Sequence, residues 1–207
     1  RPTHVLSAGD ELPSLFGGSQ AVTVWDAISD LPLIEHGESS VEYASEPSTP
    51  YQAMMREGAH GLSDHDARRL APLQYARLAA LKPGQGHKDL PDRLKVKAGY
   101  SGAYGRLTKS MIAPTITRWV FHPGSGRWGH PVDIRTLSIR EVARIQSFPD
   151  SYVFEGSYND KAGQLGNAVP PLLAQAVLDS MSTQLALRKS KRSFHSTFSA
   201  GSKKEIA

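Results

Sequence analysis

Apolar residues recur at helical spacing in four stretches of the chain, and one short run is β-branched and aromatic. From Val22 to Leu31 the apolar positions are Val24, Ala27, Ile28 and Leu31, which predicts a helix with Thr23 as its N-cap and Pro32 as its stop. Leu33 to Pro50 is polar and acidic with turn residues, and predicts an irregular loop. Ser63 to Leu81 predicts a helical region, with Ser63 and Asp66 at the spacing of a capping box. Pro72 lacks an amide donor and crowds the preceding turn, so two short helices are expected there, the second with Pro72 in its first turn. Leu73, Ala76, Arg77 and Leu81 follow one face of that region, and Pro83-Gly84 ends it.

Gln85 to Gly105 is rich in Gly and Lys with aromatic residues between them, a pattern of long loops with short strands. Thr115 to Phe121 (TITRWVF) predicts a strand, and Pro123 to Gly129 a turn. Ser138 to Gln146 (SIREVARIQ) is the clearest helix: Ser138 caps it, Glu141 completes a capping box, and Phe148-Pro149-Asp150 stops it. Pro170 to Leu187 predicts another, with two prolines in the first turn and an apolar stripe of Leu173, Val177, Met181 and Leu185. Residues 1–20 read as a loop or edge segment. Arg188 to Ala207 carries six bases and one acid, the composition of a disordered tail.

Composition narrows the chemistry. The 207 residues, 39% of them hydrophobic, suffice for one ordinary domain, or for a small domain and part of another. There is no cysteine, which removes disulfides, thiolate zinc sites and a cysteine nucleophile from this chain. The eight histidines have no convincing metal-ligand spacing and read as polar or structural. Net charge is +4, unevenly distributed. Asp10 to Glu46 holds eight acids and no base, whereas Arg56 to Lys109 holds eleven bases and five acids. A basic middle behind an acidic flank is compatible with a nucleic-acid face, and equally with a solvated surface. The first residue is Arg1 and the first methionine Met54, which leads to the expectation that the chain begins inside a longer protein.

Two long strings add identity to this outline. RTLSIREVARIQSFPDSYVFEG (Arg135 to Gly156) resembles the ninth sequence block of the C5 cytosine-specific DNA methyltransferases, with Arg140, Glu141, Arg144, Gln146, Phe148 and Pro149 at the pattern positions. QLGNAVPPLLAQAV (Gln164 to Val177) resembles the tenth block. TVWDAISDLP (Thr23 to Pro32), LAALKPGQGHKDLP (Leu78 to Pro91) and YGRLTKSMIAPTITRWVFHP (Tyr104 to Pro123) resemble the recognition domain and its flanks, in the family's order. The family's Pro-Cys, Glu-Asn-Val and Arg-x-Arg motifs are absent.

The resemblance implies the C-terminal part of an α/β, Rossmann-like methyltransferase with a small mixed target-recognition domain. The expected division is 1–34 for the end of the catalytic core, 35–129 for target recognition, 130–187 for the returning ninth and tenth blocks, and 188–207 for the basic tail. The implied reaction is methyl transfer from S-adenosylmethionine to C5 of a cytosine taken out of the duplex, after a thiolate adds to C6. The thiolate belongs to an N-terminal catalytic half, expected as a partner in the same or a separate chain. A cytoplasmic or nuclear location follows from the resemblance. This chain is left with double-stranded DNA, for which Arg93, Lys95, Lys97, Arg106, Lys109, Arg118 and Arg127 are the candidate contacts to phosphates or base edges. The resemblance places Asn167, Ala168 and Val169 at the cofactor. Gly166 would make a tight turn before a helix that Asn167 could also cap. The Arg140–Glu141 helix has a linking role, and Arg144 reaches either DNA or a carboxylate. No residue is assigned as catalytic. A non-catalytic DNA-binding remnant and a non-functional fragment are the alternatives. Without the other half, the apolar stripe of the last helix is expected to be exposed and the isolated chain poorly stable.

Overall fold

Thr23 does what a hydroxyl before an apolar run is suited to do. Its Oγ1 accepts from the Asp26 amide, and the Asp26 carboxylate accepts from the Thr23 amide, starting helix α1 (Val24–Ile28). In the computed structural model, residues 21–96 and 102–185 are described. After α1 come a two-residue strand β1 (Ser39–Ser40), α2 (Pro50–Arg56), β2 (His65–Asp66) and α3 (Pro72–Ala79). Three single 3-10 turns follow at His87–Asp89, Asp92–Leu94 and Pro123–Ser125, then α4 (Ile139–Ile145), α5 (Tyr158–Asn167) and α6 (residues 171–185). Among the described residues the only sheet is the antiparallel pair β1–β2, with Ser39 opposite Asp66 and Ser40 opposite His65.

Gln20–Pro170 forms one compact unit; the described part of a second is α6. The core of the first unit gathers on α4, where Ile139, Val142 and Ala143 are fully buried, together with Ala27 and Ile28 of α1, Leu165 of α5, and Leu107 and Leu137. A second cluster of Leu81, Leu90, Ala103 and Tyr104, flanked by Leu94 and Val96, holds the long connection after α3. In α6 the expected stripe of Leu173, Val177, Met181 and Leu185 is 49–57% exposed.

Several elements differ from the sequence reading. Residues 63–71 are not helical. Ser63 does not cap a helix; its Oγ and carbonyl accept from the Arg140 guanidinium. Asp64 adopts φ +60°, and His65 and Asp66 enter β2. The second half of that prediction stands: α3 begins at Pro72. Its buried face differs, with Leu78 at 0% and Leu73 at 52% exposed. The 85–105 connection contains 3-10 turns and no strand among its described residues. Residues 115–121 also form no strand; Val120 N–H donates to the Thr117 carbonyl at 3.0 Å and turns the chain. Two helices were not anticipated. Thr49 caps α2, with Pro50 in its first turn, and Ser157 with Asp160 forms the capping box of α5.

Candidate nucleic-acid interface

The basic residues divide by what their charges meet. Around α4 they are buried and fully engaged. Arg135 donates both terminal nitrogens to Glu141, at 2.8 Å each, and its Nε to the Ile34 carbonyl at 2.9 Å. Burial alone would raise the Glu141 pKa, but the Arg135 guanidinium overrides it and holds the carboxyl well below the usual carboxylate range. Next to this pair, His130 Nδ1 accepts the amides of Val132 and Asp133 at 3.2 and 2.9 Å, which leaves the ring proton on Nε2, 3.5 Å from Glu141. Burial pushes the His130 pKa down to about 3 against the opposing pull of Glu141, so the ring is neutral at neutral pH.

Arg144 grips Asp150 with Nε and one terminal nitrogen at 2.7 Å each, and Asp30 at 3.0 and 3.2 Å. Its other acceptor is the Ala27 carbonyl. Thus Arg144 meets carboxylates, the second of the two partners expected from the sequence. Burial works against its charge, but the hydrogen bonds it donates to Asp150 and Asp30 outweigh that and raise its pKa. Arg56 Nε lies 2.8 Å from Asp30 in an ion pair without hydrogen-bond alignment. Tyr43 donates to Asp150 at 2.8 Å, and its pKa is pushed up to about 12, chiefly by burial. Arg140 binds the Ser63, Pro149 and Tyr152 carbonyls and the Ser63 hydroxyl. One helix therefore ties together segments about a hundred residues apart in sequence.

The candidate DNA contacts fall into three groups. Arg106 is 5% exposed, and its guanidinium makes five bonds to the carbonyls of Leu81, His130, Val132 and Asp133. Arg127 is half-buried and donates Nη1 to the Gly84, Gln85 and Arg106 carbonyls. These two hold the backbone together, which leaves no guanidinium face of Arg106 for DNA. Lys95 is exposed but pairs with Asp92 at 2.6 Å, and Lys109 is exposed with Nζ 4.2 Å from the Trp25 ring centroid. Arg93 and Arg118 are exposed. Arg118 has Cζ 5.4 Å from the Trp119 ring centroid. Lys97 lies outside the described residues.

One exposed base was missed. Arg68 lies just after β2 and lines a cleft of about 250 Å³ with Arg118, Trp119, Phe121, His122 and Asn159. No motif marks Arg68; only the folding of β2 beside the 118–122 turn and α5 brings it there.

At the candidate cofactor residues, Asn167 ends α5 and is exposed, Ala168 is extended, and Val169 is 63% exposed. Asn167 is therefore not the cap of α6, which begins at residue 171. Gly166 makes no turn either. It lies inside α5, where a Cβ would sit 2.2 Å from the Arg118 amide nitrogen and 2.4 Å from the Arg118 Cα. Its bare Cα lets the helix rest against that backbone. The Asn167 side chain and the Val169 amide have no hydrogen-bond partner among the described residues.

Among the described residues no group of His, Asp and Glu could hold a metal ion, and no helix is long and apolar enough to cross a membrane. Residues 34–183 match the family model described as C-5 cytosine-specific DNA methylase. DNA (cytosine-5)-methyltransferase 3 of Arabidopsis thaliana is 36% identical over 82% of this chain and 13% of its own length. Type II methyltransferase M.AgeI of Thalassovita gelatinovora is 31% identical over 90% of this chain and 58% of its own. The chain thus spans about an eighth of the plant relative and somewhat over half of the bacterial one. The fold is similar to a crystal structure described as a DNA modification methyltransferase encoded within an E. coli prophage, with TM-score 0.59 and 21% identity over 81% of this chain and 48% of the other. With the matched region running through the α4 network and the whole of α5, this chain belongs to the C-5 cytosine-specific DNA methylase family.

Proposed function

We propose that this chain is the part of a DNA (cytosine-5)-methyltransferase that recognises duplex DNA and closes one side of the S-adenosylmethionine pocket. The observation that carries this reading is family membership over residues 34–183 in a chain without cysteine. A thiolate is the attacking group the family's chemistry requires, so it must come from an N-terminal catalytic half. Target recognition is assigned to 35–129, the ninth- and tenth-block segments to 130–187, and residues 1–34 to the end of the catalytic core. The α/β sheet of the complete methyltransferase fold is assigned to the other half, with the apolar stripe of α6 packing against it. Exposed bases, including Arg93, Lys95, Lys109 and Arg118, are offered to DNA.

Asn167, Ala168 and Val169 fit one wall of the cofactor pocket, by a side-chain amide and a backbone amide that have no partner among the described residues and by an apolar side chain. When bound, S-adenosylmethionine supplies the methyl group. This chain's residues hold and orient it and exclude water from one side.

The test is methyl transfer into duplex DNA by the chain alone and by the chain joined to an N-terminal half carrying the Pro-Cys motif. No transfer alone and transfer when joined is the expected result. Transfer by the chain alone would overturn the external nucleophile. Sequence-specific DNA binding without transfer in the joined protein would favour a non-catalytic recognition module.

A further inference from the structure

The geometry points to a phosphate-binding subsite for duplex DNA in the cleft shared by Arg68 and Arg118, with Trp119 set against the adjoining sugar. This rests on the DNA-recognition reading above and names residues for it. The cleft is assembled from three separate segments: the stretch after β2, the 118–122 turn and the first turn of α5. Its two guanidinium groups are exposed, and neither has a hydrogen bond or a carboxylate partner among the described residues. Arg56, Arg106, Arg127, Arg135, Arg140 and Arg144 are all engaged by carbonyls or carboxylates. Among the described residues no acidic side chain lines the cleft. Asp66, on the same segment as Arg68, forms no ion pair with it among the described residues. Two cations facing one space without an acid repel each other, and an anion between them reverses that cost. Planar guanidinium groups suit the oxygens of a phosphodiester, and the Asn159 amide adds a neutral donor at the rim.

Trp119 indicates why the anion belongs to a nucleic acid. The residue is 61% exposed, unusual for so large an apolar side chain. Its backbone is held in place. The His122 amide donates to the Trp119 carbonyl at 2.9 Å, and the Ser125 hydroxyl donates to the same oxygen. Behind it, α5 rests on the Arg118 backbone at Gly166, and Phe121 meets Tyr158 edge-on at 5.0 Å. An exposed aromatic face on a fixed backbone, beside a two-cation cleft, suits the apolar face of a deoxyribose next to a phosphate that the cations hold. Free phosphate would use the cations and leave the indole idle.

The experiment measures binding of the full chain to a mixed-sequence DNA duplex across a salt series, with cooperative melting confirmed for each variant. Arg68→Ala and Arg118→Ala are expected each to reduce the slope of log K against log salt by about 0.9, the loss of one phosphate contact. Trp119→Ala should weaken binding about tenfold, from the apolar contact it loses against the sugar, with the slope unchanged. Arg69→Ala removes the same charge one residue from Arg68 but outside the cleft, and should leave the slope as it was. If the chain binds duplex and the two cleft variants behave like the unsubstituted protein, the subsite is wrong and the recognition reading survives. An equal loss in Arg69→Ala would reduce the effect to general charge and overturn the subsite. Inorganic phosphate binding that depends on Arg68 and Arg118, without any change in duplex affinity in the variants, would assign the cleft to the free anion. Failure of the folded chain to bind duplex at all would remove both proposals.

Discussion

Arg144 and Arg118 carry the same charge and lie in opposite settings. Arg144 is fully buried between two carboxylates, whereas Arg118 is exposed and has no carboxylate partner among the described residues. The first has all its hydrogen-bonding capacity used inside the fold; the second has its capacity available to something outside. In a basic DNA-associated family it is tempting to assign every arginine to phosphate. The comparison shows that burial and prior engagement, rather than charge, decide which arginines are available.

The sharpest way to break the comparison is to remove each member. Arg144→Met leaves Asp30 and Asp150 buried without their shared cation, and should cost about 3–5 kcal/mol in a denaturant titration. Arg118→Ala, read by the same titration, should stay within about 0.5 kcal/mol. Equal losses would mean that the exposed arginine also holds the fold together.

Gly166→Ala probes the join between the two regions. The added methyl must displace the Arg118 backbone or α5, at a cost of about 1–3 kcal/mol. Unlike Arg144→Met, it should also weaken duplex binding by moving Arg118, so the two variants separate overall stability from placement of the cleft. Unchanged stability and unchanged binding together would show that α5 need not rest there.

A pH titration tests the buried region alone. His130 has a folded pKa of about 3 against an ordinary 6.5, so between those values the unfolded chain takes up a proton that the fold excludes. Stability therefore falls as pH drops through that window, by about 1.4 kcal/mol per pH unit for one such group. Glu141, held low by Arg135, contributes stability that begins to be lost only below its ordinary value of 4.5, so the interval from pH 6.5 to 5 isolates the histidine. His130→Asn should flatten the slope there. A slope that persists in the variant would place the proton uptake elsewhere.

The helices that were legible are those whose signals are local. Thr23 with Asp26 and Ser138 with Glu141 satisfy helix-end amides within one turn, so sequence alone locates α1 and α4. The α5 box of Ser157 and Asp160 and the Thr49-Pro50 start of α2 are local signals of the same form, and the sequence reading passed over both. Ser63 with Asp66 shows the limit of such a signal. Its spacing suits a cap, but the Arg140 guanidinium, 77 residues away, takes the Ser63 oxygens. Likewise, the β-branched residues of 115–121 favour a strand only where a neighbouring strand is available, and here the chain turns at Thr117 instead.

The candidate site divides along the same line. Sequence by itself determined the family blocks, the absence of cysteine from these 207 residues and Arg118 as a candidate, because these depend on residue identity and order. Only the tertiary structure decided that Arg106 is bound up in backbone carbonyls, that Arg68 shares a cleft with Arg118, and that Gly166 serves close packing rather than a turn. The reason is physical. A side chain's charge is a property of the residue, but its availability depends on which distant groups have already desolvated and bound it, and that is settled only when the segments meet.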